Sequence, residues 1–318
     1  MSHQSVSKMR KIVLLAVLTL VLLSCRKDDN NNETTYSNVF PKTIVEEVTT
    51  SIGKTVKTTD TYTLTGNKIT TFSRVRIVED GSITTDEVYT IDYEGDLIKR
   101  ITLKSNSQSN RNYSYNFNYS ENHLQSIIRS DNVQKITYEY LNNKVASKTT
   151  VDGTETKKYS YTYEANKIKM IATDPTPGSN DRFTYTLNPD GTVASFEKIV
   201  YIGNIPREET KGSCTYQYDN KPNIYQRDLF KYLAEIELIS NYNYYGDYYR
   251  DPLLRTAAHN VVSYTNNLYN NTQANYQDLE NATRSFSYQW NSNNSPKSME
   301  YKKNRTIKPI ILTLIRKT

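Results

Sequence analysis

The residues whose types are best suited to bind a ligand form an aromatic cluster in the C-terminal third of the chain. The polar segment NYNYYGDYYRDP (Asn241 to Pro252) holds Tyr242, Tyr244, Tyr245, Tyr248, Tyr249 and Arg250. Tyrosine rings in a polar loop stack on sugar faces or contact peptides, and an arginine adds a charged hydrogen bond. The segment therefore predicts a ligand-binding surface. The alternative is structural, because a chain this rich in tyrosine also places some of them in loops.

A second candidate is a cysteine at the end of an export signal. A basic n-region precedes the apolar run Ile12 to Leu23, which is too short to span a bilayer comfortably, so residues 1–24 are predicted to be a signal peptide. The boundary Leu22-Leu23-Ser24-Cys25 resembles the lipobox of bacterial lipoproteins. That resemblance implies that Cys25 becomes the diacylated N-terminus. The alternative is an ordinary secretory signal with an incidental cysteine.

The residues after Cys25 predict where the protein is localised. They are similar to the Cys-x-Lys-Asp/Glu-Asp/Glu signal of Bacteroidota lipoproteins exported to the outer face of the outer membrane, with Lys27, Asp28 and Asp29 at its charged positions. The resemblance implies an outer-membrane protein that is lipid-anchored and faces the cell exterior. A solvated charge run is the alternative. Residues 25–36 would form a flexible lipidated tether, because their polar NNNETT stretch cannot bury a core.

Charge and composition disfavour several function classes. Without residues 1–24 the chain keeps 37 of its 40 basic residues against 34 acidic ones, and so small an excess gives no case for nucleic acid. Neither His123 nor His259 has the sequence neighbours of a metal site or of a catalytic base. Phosphate-binding and nucleophile-elbow sequences are lacking as well. We therefore expect no cofactor, no metal and no enzymatic activity, although folding could still bring two carboxylates together as in a glycosidase.

The elements that position these residues come from an internal repeat of an aromatic strand, a polar turn and an aliphatic strand. The three clearest units are YSYNFNYSENHLQSI (Tyr113 to Ile127), YEYLNNKVASK (Tyr138 to Lys148) and YSYTYEANKIKMI (Tyr159 to Ile171). The repeat has an anchor position spaced by 21 to 26 residues, occupied by Tyr93, Tyr119, Tyr140, Tyr163 and Leu187. Two strands of about eight residues and two short turns need that length. Each repeat is therefore predicted to be one β-hairpin of an up-and-down meander.

The alternation within each strand predicts the buried face. Tyr113, Tyr115, Phe117 and Tyr119 share one side, and polar residues take the other. Each ring buries roughly 150–250 Å² and stabilises the fold by an upper estimate of a few kcal/mol. We expect the 28 tyrosines to be mainly structural, with their hydroxyls reaching water.

After Tyr225 the pattern becomes helical. QRDLFKYLAEIELIS predicts one amphipathic helix from about Gln226 to Ser240 that caps the sheet core, with Glu235 largely off the apolar face. The apolar face is predicted to hold Leu229, Leu233, Ile236 and Ile239. Strand patterns resume at His259.

Two family resemblances follow from these motifs. The units YEGDLIKRI (Tyr93 to Ile101) and LNPDGTVASF (Leu187 to Phe196) resemble the Tyr-Asp repeats of RHS-type proteins. The lipobox and tyrosine-rich hairpins resemble more closely the Bacteroidota lipoprotein family of unknown function with a porin-like fold. YDNKPNIY (Tyr218 to Tyr225) and HNVV (His259 to Val262) are similar to its C-terminal segment, with Lys-Pro-Asn where an Asn-Pro pair is usual. The resemblance implies a long antiparallel sheet curled into a partial barrel and carries over no catalytic residue.

The sequence thus predicts a mainly β protein. Residues 37–318 are expected to form one β-meander domain, a long curved sheet or partial barrel with a C-terminal helix and tyrosine-rich loop at about 226–252. The predicted function is a non-enzymatic cell-surface lipoprotein that binds a glycan, a peptide or an outer-membrane partner. The alternative is a structural shell or scaffold without a small ligand. A barrel that spans the membrane is disfavoured, because lipid-facing Lys99, Arg100 or Lys148 costs roughly 2–4 kcal/mol at the midplane.

Overall fold

A computed structural model of the chain describes residues 40–49, 55–108, 111–173, 178–240, 251–268, 282–290 and 296–305. The strands and helices described below belong to one compact unit, Pro41–Thr318. A 17-stranded sheet makes up most of it, with a long helix (Asp228–Ser240) and a short helix (Pro252–Arg255) after β14. None of the helices in these ranges has the length and apolar character needed to cross a membrane.

The strands follow one another along the chain, most of them with short connections. They are β1 Thr43–Thr49, β2 Thr55–Thr65, β3 Lys68–Val78, β4 Ile83–Glu94, β5 Leu97–Ser105, β6 Tyr113–Ser120, β7 His123–Arg129, β8 Gln134–Leu141, β9 Lys144–Asp152, β10 Glu155–Glu164, β11 Lys167–Thr173, β12 Ser179–Leu187, β13 Val193–Ile202, β14 Ile205–Pro222, β15 His259–Leu268, β16 Ala282–Trp290 and β17 Pro296–Arg305.

Each strand pairs antiparallel with the next strand in sequence, from β1–β2 to β16–β17. The predicted up-and-down meander is confirmed. Within the described ranges the sheet is open, because β1 pairs with β2 alone and β17 with β16 alone.

The connections after β2, β4, β6, β8, β10, β12 and β14 lie at one end of the sheet, which we call the upper end, and all but the last are tight turns. Gly66 and Gly95 begin the turns after β2 and β4 with φ of +59° and +57°. Glycine adopts this left-handed conformation without the steric cost that a Cβ brings. The turn after β8 uses Asn142 and Asn143, with φ of +52° and +61°.

The aromatic residues of the repeat lie on one face of the sheet, as predicted. In β6, Tyr115 and Phe117 are buried while Asn116 and Asn118 are exposed. Rings also pack from strand to strand on this face. The Phe72 ring lies 5.5 Å from that of Tyr62 and 4.1 Å from that of Tyr89, between ring centroids.

Repeated hydrogen bonds from tyrosine hydroxyls join consecutive hairpins, which corrects the expectation that these hydroxyls reach water. In each, a tyrosine phenol donates to a backbone carbonyl of the preceding strand: Tyr93 to Ile69 (3.0 Å), Tyr140 to Leu124 (2.9 Å), Tyr163 to Val145 (3.1 Å), Tyr218 to Val193 (2.9 Å) and Tyr288 to Val261 (3.2 Å).

Every acceptor carbonyl in this set adjoins a register shift, where one strand holds an extra residue. For example, Asn118 pairs with Ser126 but Tyr119 pairs with Leu124. Such a bulge interrupts the ladder of backbone hydrogen bonds, and the phenol of the next hairpin supplies a donor there. The β10–β11 hairpin runs without a shift, and the next anchor position is Leu187, which has no hydroxyl.

The helices occupy the place of a turn in the β14–β15 hairpin. Strand β14 runs to Pro222, and its partner strand begins only at His259. The intervening 36 residues, 223–258, therefore leave the sheet at its upper end and return to it.

The long helix begins two residues after the predicted start, and its apolar face is only partly as predicted. Leu229 and Ile239 are buried, but Leu233 and Ile236 are half-buried. The residues that the prediction missed are Phe230, Tyr232, Ala234 and Leu238, all buried. The helix contacts both the sheet and the short helix, so burial extends around more of its circumference than one stripe.

Candidate functional site

The site residues predicted from the sequence lie outside the described residues. They are the lipidation residue Cys25, the export residues Lys27, Asp28 and Asp29, and the cluster Tyr242, Tyr244, Tyr245, Tyr248, Tyr249 and Arg250. The described residues do establish how the chain on each side of the tyrosine cluster is held. They also contain a cleft at the upper end of the sheet that the sequence did not indicate.

Aromatic contacts hold the long helix against the buried face of the sheet. The rings of Phe230 and Tyr62 meet edge to face at 6.3 Å, and those of Tyr232 and Phe117 lie 5.2 Å apart. Before the first turn of this helix, Arg227 donates from Nη1 to the carbonyl oxygen of Asn67, in the β2–β3 turn, at 2.7 Å. The helix is thus fixed along its length to strands from the first half of the chain.

A buried ion pair reinforces this attachment. Lys148 Nζ in β9 lies 2.6 Å from Glu235 Oε2 in the long helix, and the two side chains are 1% and 12% exposed. The ammonium also lies 4.9 Å from the centroid of the Tyr159 ring. Burial disfavours the charged form of Lys148, but attraction to the Glu235 carboxylate and to the tyrosines around it (Tyr161, Tyr138 and Tyr159) together raises its pKa well above the ordinary value.

Neither member of the ion pair was recognised from the sequence. The sequence marks Lys148 only as a residue that would be costly against lipid, and it predicts that Glu235 lies largely off the apolar face of the helix. Lys148 pairs in register with Tyr138 on one side and Tyr159 on the other, and both tyrosines are buried. A lysine paired with two buried rings is itself expected to be buried. This signal can be used only when the strand register is known.

The chain on the far side of the tyrosine cluster is fixed by Asp251. This residue is fully buried and caps the short helix, with Oδ1 accepting from the Leu253 N–H at 2.9 Å. Its Oδ2 accepts from the hydroxyl of Tyr185 in β12 at 2.7 Å. Buried Asn223 donates from Nδ2 to the carbonyl oxygen of Arg255 at 2.9 Å. Both ends of the ten-residue segment 241–250 therefore adjoin elements bonded to the sheet.

The cleft lies between the β4–β5 and β6–β7 turns and has a volume of about 430 Å³. It is lined by Glu94, Leu97, Ile98, Lys99, Phe117, Asn118, Tyr119, Glu121 and Asn122. Lys99 Nζ is ion-paired to Glu94 Oε2 at 2.7 Å, and Asn118 donates from Nδ2 to Ser126 Oγ at 2.9 Å. We call this feature the upper cleft.

Tyr119 departs from the repeated tyrosine pattern at the upper cleft. By its position its phenol corresponds to those that donate to a carbonyl next to a register shift, and the equivalent acceptor is Ile98. Instead its hydroxyl is buried near Tyr232 without a partner in hydrogen-bonding geometry. Burial raises the pKa of Tyr119 to about 12.

The two histidines and the cysteine of the described ranges each have local contacts. His123 packs on the ring of Tyr140, and His259 Nε2 lies 4.0 Å from the nearest oxygen of Asp190. Buried Cys214 donates from Sγ to Asn266 Oδ1 at 2.8 Å. No group of three metal-ligating side chains occurs in this part of the chain.

Comparisons with known proteins find structural neighbours but no sequence relatives. No protein-family model matches the chain, and no curated protein matches its sequence. A porin-like protein from Bacteroides uniformis covers 85% of this chain and 91% of its own, with 13% identity and a TM-score of 0.44. A porin-like protein from Bacteroides vulgatus covers 67% of this chain and 87% of its own, with 12% identity and a TM-score of 0.41. Membership of the lipoprotein family and the RHS-type repeat stay predictions.

Proposed function

We propose that this protein is a non-enzymatic, lipid-anchored protein of the outer membrane that faces the cell exterior and binds a glycan, a peptide or a partner protein. The sheet serves as a rigid frame, and Tyr242, Tyr244, Tyr245, Tyr248, Tyr249 and Arg250 provide the binding surface. The lipid anchor is on Cys25, and Lys27, Asp28 and Asp29 direct export.

The attachment of both flanks of this segment carries the proposal. On one side, Glu235 binds buried Lys148 at 2.6 Å. On the other, buried Asp251 bonds to Tyr185 at 2.7 Å. Fixing the ends of a short segment lowers the conformational entropy that its residues lose when they bind a ligand. Five tyrosines and an arginine between two fixed ends suit recognition, because these residue types dominate binding energetics.

The alternative is a structural shell or scaffold, which one observation favours. The long helix packs on Tyr62 and Phe117 of the aromatic face, and Tyr140 and Tyr163 donate their hydroxyls to backbone carbonyls. The tyrosines of the sheet are therefore used internally. The two functions differ in whether the segment 241–250 binds a ligand.

A binding screen distinguishes the two functions. A soluble form starting at Asp28 is screened by glycan array and by thermal shift against polysaccharides and peptides, because a ligand of the folded state raises its melting temperature. Tyr244→Ala with Tyr248→Ala is expected to abolish the shift while leaving the melting temperature of the free protein unchanged. Tyr201→Ala, outside the segment, serves as the control. A double variant that binds as well as wild type would remove the assignment to these tyrosines.

The membrane address has its own test. Cys25→Ser is expected to release the protein from the membrane fraction. Lys27→Ala combined with Asp28→Ala and Asp29→Ala is expected to reduce cleavage by external proteinase while acylation persists. Surface cleavage equal to that of the wild type in the triple variant would eliminate the export signal.

A further inference from the structure

We infer that the upper cleft is a second binding site, for a neutral sugar unit, held by the β6–β7 hairpin. Three observations support this inference: the departure of Tyr119 from the tyrosine pattern, the backbone conformation of Glu121 and the chemistry of the residues that line the cleft. The inference rests on the cleft alone and does not require the segment 241–250 to bind.

The first feature is a break in the tyrosine pattern. At five other positions a phenol donates to the carbonyl that adjoins a register shift, as Tyr140 does to Leu124 at 2.9 Å. Between β4 and β5 the register shifts at Asp92/Tyr93, which makes Ile98 the equivalent acceptor. Tyr119 does not donate to it, and its hydroxyl is instead buried near Tyr232. The upper cleft, lined by both Ile98 and Tyr119, lies where that bond would have formed.

The second feature is backbone strain at Glu121. Its φ is +49°, in the left-handed region, and Asn122 follows at +64°. The equivalent first turn positions hold Gly66, Gly95 and Asn142. Glycine and asparagine adopt this conformation readily, whereas for other residues it costs roughly 1–2 kcal/mol. Strained backbone of this kind concentrates at ligand sites, and here Glu121 is one of the residues that line the cleft.

The third feature is the chemistry of the lining. Leu97 and Ile98 provide an apolar surface, and Glu121 and Asn122 supply hydrogen-bonding groups at the rim. A sugar presents an apolar C–H face and a rim of hydroxyl groups, which matches this division, and the volume of about 430 Å³ falls in the range of small-molecule sites.

Charge narrows the class of sugar. Glu94 and Glu121 bring two carboxylates to the cleft, and Lys99 brings the one ammonium among its lining residues. The lining therefore has a net negative charge, which disfavours uronic acids and other acidic sugars. Neutral hexoses and N-acetylhexosamines remain.

The test is a titration of the full chain, purified in detergent, by calorimetry and thermal shift. The probes are maltotriose, cellotriose, mannotriose and tri-N-acetylchitotriose, with a trigalacturonate and a neutral tripeptide as comparisons. At least one neutral trisaccharide is expected to bind and the trigalacturonate is not. Binding of the tripeptide alone, or of no probe, would overturn the assignment.

Variants locate the site. Glu121→Gln is expected to weaken binding about tenfold or more, because a charged acceptor is lost. Leu97→Trp is expected to abolish binding by filling the cleft. Glu121→Asn is expected to raise the melting temperature by about 2 °C while weakening binding, because it relieves strain and removes the carboxylate. Asn142→Gly, at the equivalent turn position outside the cleft, is the matched control and is expected to bind like the wild type.

The outcomes separate this inference from the proposed function. Loss of trisaccharide binding in Glu121→Gln and Leu97→Trp, with retention in the Tyr244→Ala and Tyr248→Ala double variant, supports the upper cleft. Retention of binding in Glu121→Gln and Leu97→Trp, with loss in the double tyrosine variant, contradicts the assignment to the upper cleft and supports the tyrosine segment. Binding that persists in the Glu121 and Leu97 variants and in the double tyrosine variant contradicts both assignments.

Discussion

The bond between Tyr140 and Leu124 offers a sharp test of how the hairpins are joined. Tyr140→Phe removes one hydroxyl and leaves the ring, so the 2.9 Å hydrogen bond to the Leu124 carbonyl is lost while packing is kept. A neutral hydrogen bond contributes about 0.5–1.5 kcal/mol net, and an unsatisfied acceptor adds to the loss. We expect a loss of about 1–2 kcal/mol in the free energy of unfolding.

Tyr119→Phe, in β6 of the preceding hairpin, is the matched control. The Tyr119 hydroxyl is buried without a bonded partner, so its removal is expected to be neutral or slightly stabilising. Urea unfolding, followed by tyrosine fluorescence and circular dichroism, gives the free energy for both variants and the wild type. If Tyr140→Phe cost no more than Tyr119→Phe, the phenols would not join the hairpins as described.

Three further perturbations follow from the buried polar groups. Lys148→Met is expected to lower the free energy of unfolding by about 3–5 kcal/mol, since Glu235 is left unpaired, whereas Lys148→Met with Glu235→Leu restores most of it; equal urea midpoints for the single and double variants would contradict this. Asp251→Ala is expected to cost about 2–3 kcal/mol by removing a helix cap and the acceptor of Tyr185, and Asp251→Asn less; a loss below 0.5 kcal/mol in thermal unfolding would count against the cap. Folded-state pKa values of Lys148 and of buried tyrosines are raised, so their stabilising effect is present below about pH 10 and is lost as pH rises through the folded pKa; urea midpoints that stay constant from pH 8 to 12 would refute this.

The strands and turns could be predicted from the sequence because their signals are local. The alternation of Tyr115 and Phe117 with Asn116 and Asn118 spans four residues and specifies a strand with one buried side. Gly66 marks a turn by its own conformational freedom. The helical period after Tyr225 likewise located the long helix to within two residues.

The contacts that hold these elements together could not be predicted, because they depend on register. Tyr140 and Leu124 are 16 residues apart, and their bond exists only because a register shift in the β6–β7 hairpin precedes it. Alternation shows which side of a strand is buried but not which residue lies opposite. The register also decides that Lys148 lies opposite Tyr138, and the ion-pair partner of Lys148, Glu235, is 87 residues away in the sequence. The departure of Tyr119 from the tyrosine pattern at the upper cleft is likewise visible only in three dimensions.

The tyrosines of the sheet are predicted to stabilise the fold, whereas those of the segment 241–250 are predicted to bind the ligand. This difference can be tested in one thermal-shift titration with a glycan that the wild type binds. Two proteins are compared: Tyr140→Phe, and the double variant with Tyr244→Ala and Tyr248→Ala. We predict that Tyr140→Phe melts at a lower temperature and keeps the full ligand-induced shift. The double variant is predicted to melt like the wild type and to lose the ligand-induced shift. A double variant that keeps the shift, or a Tyr140→Phe protein that loses it at unchanged stability, would contradict a structural sheet that carries a separate binding segment.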